Sequence, residues 1–188
     1  IFNNVFDSLT TTGTGALYGI LSTTGASHTH NIYDNTIRDF ICGTGTVYGI
    51  HRTLASGEIY DNEVYNLVGG GTVYGLSNGS GNNRIFRNIV YNLTSNTTGT
   101  TAGSVTGVLV SGSTNTHIYN NFISDLKAPT CAAADAIRGI GITSTAASST
   151  IGLYYNTIYL NASSTGANFG TSGIFHTNST TATTAALD

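Results

Sequence analysis

One six-residue frame recurs from one end of the chain to the other: an aliphatic residue, an aromatic one, a variable one, Asn, a variable one and an apolar one. It occurs at 1–6, 32–37, 59–64, 85–90, 118–123 and 153–158. The fixed Asn falls at Asn4, Asn35, Asn62, Asn88, Asn121 and Asn156, so successive copies are 31, 27, 26, 33 and 35 residues apart. Periods of about 20–50 residues are the signature of a solenoid or propeller, in which each unit buries its apolar face only by stacking on the next.

A second marker between the copies decides which repeat this is. It reads Leu17-Tyr18-Gly19-Ile20, Val47-Tyr48-Gly49-Ile50, Val73-Tyr74-Gly75-Leu76, Val105-Thr106-Gly107-Val108 and Ile137-Arg138-Gly139-Ile140, with a weaker Thr171-Ser172-Gly173-Ile174. Asn and Gly are the residues that most readily take positive φ, so both markers are expected to be corners. No run keeps a 3.6-residue period, and the β-branched and aromatic residues suit strands. A propeller blade needs four antiparallel strands, whereas each period here holds three apolar runs. The chain is therefore expected to be all-β: a single right-handed parallel β-helix over residues 1–188, of about six coils with three short strands per coil. The six Asn side chains are expected to hydrogen-bond to one another along the stack, as in cross-β Asn ladders.

These Ile-x-x-Asn-x-Ile and Gly-Ile markers resemble the parallel β-helix repeat of the pectate-lyase-like superfamily. The wording around 118–126 and 155–176 is similar to secreted repeat proteins of Bacteroidota, mostly of unassigned function. The resemblance covers nearly the whole chain and implies a β-helix. It does not fix an activity, because that superfamily holds lyases, glycosidases, adhesins and structural shafts.

Charged residues make up 8% of the chain and the formal net charge is −3, with no basic cluster. That composition points away from nucleic acid and from a polybasic membrane anchor. A hydrophobic content of 39% in register argues for a folded chain. No signal peptide, membrane-spanning run or initiator Met is present, and neither end carries an evident cap. The chain is read as a segment of a longer secreted or cell-surface protein, or as a subunit whose open coils stack on identical subunits or flanking coils. Cys42 and Cys131 fall three coils apart, roughly 14 Å at about 4.8 Å per coil, so they are expected to be free thiols. Sequons at Asn78, Asn92, Asn96, Asn161 and Asn178, and the tripeptide Asp7-Ser8-Leu9, are weak glycosylation signals in so Asn-, Ser- and Thr-rich a chain.

Register turns sequence offsets into spatial columns. Phe2, Tyr33, Tyr60, Phe86, Tyr119 and Tyr154 form one aromatic column, and Tyr18, Tyr48 and Tyr74 a shorter one that ends at Thr106, Arg138 and Ser172. Such columns are candidate platforms for sugar rings; packing alone also accounts for them. The segments between the second strand and the Gly marker lengthen in the last three copies, within 94–104, 127–135 and 161–169, where a binding face or a tolerated insertion could sit. Asp34 and Asp61 share an offset at the spacing of paired catalytic carboxylates or a cation site. Arg87 takes the same offset on the next coil, and Glu58 and Arg84 repeat the pattern, which reads as a solvated charge ladder. The resemblance would supply polygalacturonase motifs (Asn-Thr-Asp, Asp-Asp, Gly-His-Gly, Arg-Ile-Lys) or a lyase-type Asp cluster with an adjacent basic residue; neither set is found. His28 and His30 could make half a metal site without a predictable third ligand, and His51, His117 and His176 share no offset.

No catalytic residue, cofactor or metal is expected. The reading is a non-enzymatic structural or adhesion module, able to self-assemble end to end into a filament. The alternative is a carbohydrate-binding or polysaccharide-cleaving β-helix, with glycans as partners. Ice binding ranks third, because Thr44/Thr46, Thr98/Thr100 and Thr143/Thr145 do not share one offset.

Overall fold

A computed structural model describes residues 1–23, 25, 28–53, 56–146 and 149–177. All regular structure among them is strand, and every pairing is parallel. The chain winds as a three-faced parallel β-helix of about six coils. The first sheet stacks Ile32–Tyr33, Gly57–Tyr60, Asn82–Phe86, Asn115–Tyr119 and Thr150–Tyr154, extended by a bridge from Phe2 to Tyr33. The second stacks Val5–Asp7, Thr36–Cys42, Glu63–Gly69, Ile89–Ser95, Phe122–Lys127 and Thr157–Tyr159, with Thr10–Thr11 also on Thr36–Cys42. The third stacks Leu17–Ser22, Val47–Arg52, Val73–Asn78, Val105–Val110, Ile137–Ile142 and Thr171–His176.

The core is a set of aliphatic columns, because equivalent positions of each coil pair in register. Ile32, Ile59, Ile85 and Ile118 line the first sheet; Ile37, Val64, Val90 and Ile123 the second; Ile50, Leu76, Val108 and Ile140 the third; all are fully buried. Each such side chain contributes about 1.5–3 kcal/mol of transfer free energy.

The Asn ladder is present, and its geometry corrects the expected corner. Positive φ belongs to the residue before each Asn: Asn3, Asp34, Asp61, Arg87, Asn120 and Tyr155, at φ between 53° and 57°. That left-handed residue makes the bend between the first and second sheets, and the bend turns the following Asn inward. Each ladder Asn before Asn156 donates its side-chain amide to the Oδ1 of the next: Asn35 to Asn62 at 2.9 Å, Asn62 to Asn88 at 3.0 Å, Asn88 to Asn121 at 2.9 Å. The same amides donate to carbonyls of their own and the preceding coil, as Asn62 does to Tyr60 and Ile32, both at 2.9 Å. Backbone amides freed by the bend are satisfied too, since the N–H of Asn62 reaches Asn88 Oδ1 at 3.1 Å.

The glycine marker is not a corner either. Gly19, Gly49, Gly75, Gly107, Gly139 and Gly173 lie within strands of the third sheet, and none has positive φ. At all of these but Gly173 glycine is required by close approach: a Cβ on Gly49 would collide with Val64 Cγ1 and lie 2.6 Å from the Gly75 carbonyl oxygen. The coil is narrow at this point, and the third sheet's backbone packs directly on second-sheet side chains.

A further left-handed rank bends the second sheet: Ser8, Asp39, Asn66, Asn92 and Asp125 have φ between 51° and 58°. Each stands four residues after a ladder Asn. The extra outward residue lets both Ile37 and Phe40 point inward across it. Beyond that sheet, the first coils turn tightly through Gly43–Gly45 and Gly70–Gly71, whereas the three longer segments stack on one another. Ala132 N–H donates to Gly99 O at 3.0 Å and Thr165 N–H to Pro129 O at 2.9 Å, over the buried Ala128, Cys131, Ala133 and Ala136. Cys42 and Cys131 are both buried and free.

Candidate functional site

The outer face of the first sheet holds most of the candidate residues. Phe2, Tyr33, Tyr60, Phe86, Tyr119 and Tyr154 stack with centroids 4.8–5.0 Å apart and planes within 6°. That spacing follows from the coil repeat, and in it each inner ring has a neighbour against both faces. The rings therefore turn their edges outward, and a sugar seeking a ring face meets one only at the two ends of the column. The guanidinium of Arg87 also lies over Phe86, 4.8 Å from its centroid.

Beside the column run the charges. Arg87 forks onto Asp61 with two bonds of 2.7 and 2.6 Å, holding the Asp61 carboxyl below the usual range. Asp61 is thus committed to a cation. No hydrogen bond or ion pair joins it to Asp34 among the described contacts. Arg84 reaches Glu58 at 3.2 Å. Both pairs are the charge ladder expected from register, solvated and screened at the surface.

Two columns inward of the rings, the same face is hollowed. A groove of about 570 Å³ runs over Thr29, Asn31, Ser56, Asn82, Arg84 and His117, and a second depression of about 370 Å³ adjoins it at Thr29 and Asn31. The lining is mostly amide and hydroxyl, a hydrogen-bonding surface without a catalytic carboxylate pair.

Beneath this groove sits Arg52, fully buried. Its guanidinium donates to Asn78 Oδ1 at 2.9 and 3.1 Å, to the His30 carbonyl at 2.9 Å and to Asn83 Oδ1 at 2.5 Å. Burial pushes it down to about 10, so it remains charged at neutral pH. Asn78 and Asn83 pass on through Ser113. The expectations drawn from sequence contain no trace of this polar interior. The available signal was the third-sheet column Ser22, Arg52, Asn78, which is polar where later coils place Val110 and Ile142.

No protein-family model, curated protein or solved structure matches the chain.

The remaining predicted residues are dispersed. Tyr18, Tyr48 and Tyr74 stack at 4.9 and 5.0 Å on the outer face of the third sheet, with the His51 ring 4.4 Å from Tyr48. Burial lowers the His51 pKa, and it raises that of Tyr48 to about 12, with Tyr74 and Tyr18 adding to the rise. Below them the column passes to Arg138, which pairs with Asp135 at 2.7 Å and covers the Phe175 ring at 3.5 Å. On the second sheet Tyr65 and Tyr91 stack at 4.8 Å, and Asn66 donates to Asp39 at 2.8 Å. The rings of His28 and His30 are 6.4 Å apart, and among the described residues no three His, Cys, Asp or Glu side chains gather as a metal site. Of the sequons, Asn78 is fully buried and bonded to Arg52, while Asn178 lies outside the described residues. Thr44 and Thr46 fall between the second and third sheets and Thr143 follows the third, so these threonines share no face. Among the described residues no helix is long and apolar enough to cross a membrane.

Proposed function

We propose that this chain is a non-catalytic structural or adhesion module, a stiff β-helical shaft of an extracellular or cell-surface protein akin to the pectate-lyase-like superfamily. One observation carries the reading: many of the chemistry-bearing groups on the outer faces are taken up by one another. Ring faces lie on ring faces between coils, and carboxylates lie on guanidinium groups of a neighbouring coil at Asp7–Arg38, Glu58–Arg84 and Asp61–Arg87 and on cations of their own coil at Asp125–Lys127 and Asp135–Arg138. Such contacts stiffen a stack without leaving a reactive pair. The same columns are what a further coil, from flanking chain or from an identical subunit, would extend, and that is the partner this reading favours.

A second reading, carbohydrate binding, has the polar groove in its favour, since amide and hydroxyl groups in a row suit a chain of sugar hydroxyls. The two separate on a glycan array together with adhesion of protein-coated beads to cell-surface preparations under flow. The shaft reading expects beads that hold only through a terminal or flanking element and no array signal from uncharged glycans. A signal from uncharged glycans that Asn82→Ala and His117→Ala remove, and that Tyr48→Ala leaves intact, would displace it in favour of the groove.

A further inference from the structure

We infer that the groove on the first sheet is a binding site for an oxyanion group, a carboxylate or sulfate, drawn by the guanidinium buried beneath its floor. The usual relation between burial and pairing is inverted in this molecule. Arg38, Arg84, Arg87, Lys127 and Arg138 each lie within 4.0 Å of a carboxylate, while Arg52, the fully buried one, has none among the described residues. Its partners are neutral oxygens of Asn78, Asn83, His30 and Gly57. Neutral dipoles spread a buried charge without cancelling it, and a lone buried cation is among the most costly groups to keep.

The fold does not demand that cost. At the same station of the third sheet, later coils carry Val110 and Ile142 inside, and the buried polar groups near them, Ser113, Thr116 and Ser144, are uncharged. The buried charge is thus peculiar to the coils that lie beneath the groove. Asn83 and Gly57, which it bonds, line the larger groove, and His30, whose carbonyl it bonds, lines the adjoining depression. Around that floor Asn31, Ser56, Asn82, Asn115, His117 and Arg84 bring hydrogen-bonding groups. The one carboxylate in the groove, Glu58, is held by Arg84 at 3.2 Å, which leaves the charge of Arg52 uncancelled. The groove is open to solvent at Asn82, Arg84 and Asn115, so the attraction on an incoming anion is partly screened and weakens as salt rises.

The test is a titration followed by amide chemical shifts at constant ionic strength, with three probes: inorganic sulfate, dextran sulfate and neutral dextran. The expected result is saturable shifts confined to 29–31, 56–58, 82–84 and 115–117 with both sulfate probes and none with dextran. Equal strength per sulfate group identifies a small-ion site, and stronger binding of the polymer identifies a polyanion track; either supports the site. Glu58→Gln, a surface change, should tighten binding about threefold to tenfold by removing the opposing charge. Arg52→Met, neutral and of similar volume, should abolish it. If that variant does not fold, Glu58→Gln decides alone. Absence of shifts with both sulfate probes, equal binding of neutral dextran, unchanged affinity in Glu58→Gln, or undiminished binding by folded Arg52→Met would overturn the proposal.

Discussion

Asn62 donates its side-chain amide to Asn88 Oδ1 at 3.0 Å, and its backbone N–H reaches the same oxygen at 3.1 Å. One buried atom thus satisfies two donors of the coil below, and the motif repeats from Asn4 to Asn156. The ladder closes the backbone accounting at the sharpest bend of each coil.

Removing one rung strands donors and acceptors on both sides. Asn62→Ala is expected to cost at least about 1–3 kcal/mol. Asn62→Gly should cost as much or more, because the left-handed residue is Asp61 and not Asn62. At position 61 the order changes: Asp61→Ala should destabilise more than Asp61→Gly, which accepts φ of 54° without strain. Denaturant melts of the four variants check both orders, and a milder Asn62→Gly than Asn62→Ala would return the corner to Asn62.

Gly49→Ala should be far worse than its position in a strand suggests. The added methyl meets Val64 and the Gly75 carbonyl, an overpacking worth about 1–3 kcal/mol or more. Val64→Ala in the same chain should restore part of the loss. Gly173→Ala, with nothing within 4 Å of its added carbon, should stay within about 0.5 kcal/mol. Thermal melts of the three variants measure this contrast.

The stacked tyrosines predict an alkaline limit. The folded-state pKa of Tyr48 is raised to about 12 against an ordinary value of 10.0. The folded chain holds that proton longer than the unfolded chain does, so the contribution is complete below about pH 10 and is lost as pH rises through about 12. Melting temperature should therefore fall across that window, and Tyr48→Phe should flatten the fall. A Tyr48→Phe profile identical to wild type would remove this tyrosine from the explanation.

Cys42 and Cys131 are both buried, with Cys131 held among Ser104 and the Gly99 carbonyl. Alkylation of the native protein should be slow at both. The unfolded chain under non-reducing conditions should take two adducts by mass. One adduct, or none, would contradict two free thiols.

Much of this was legible because register makes sequence offsets into neighbours. The six Asn, the aromatic column and the Asp61–Arg87 and Glu58–Arg84 pairs are all direct readings of one offset repeated. The corner assignments failed for a physical reason: Asn and Gly tolerate positive φ, yet Asn62 is conscripted by its amide and Gly49 by its missing Cβ. The residues that do take positive φ include Arg87 and Tyr155, whose identities give no warning. The second left-handed rank went unread, although Asp or Asn stands at 39, 66, 92 and 125. Arg52 was missed because one cation in a strand reads as surface unless it is set against Ser22 and Asn78 at the same offset.

The central proposal is that the chain is a non-catalytic shaft whose outer carboxylates, Asp61 among them, serve as partners for neighbouring cations. Its most direct test is prolonged incubation of the protein with a panel of acidic and neutral polysaccharides, reading new reducing ends and unsaturated products. The account predicts no product above buffer for wild type and no difference on Asp61→Asn. Product release by wild type that Asp61→Asn abolishes would contradict it.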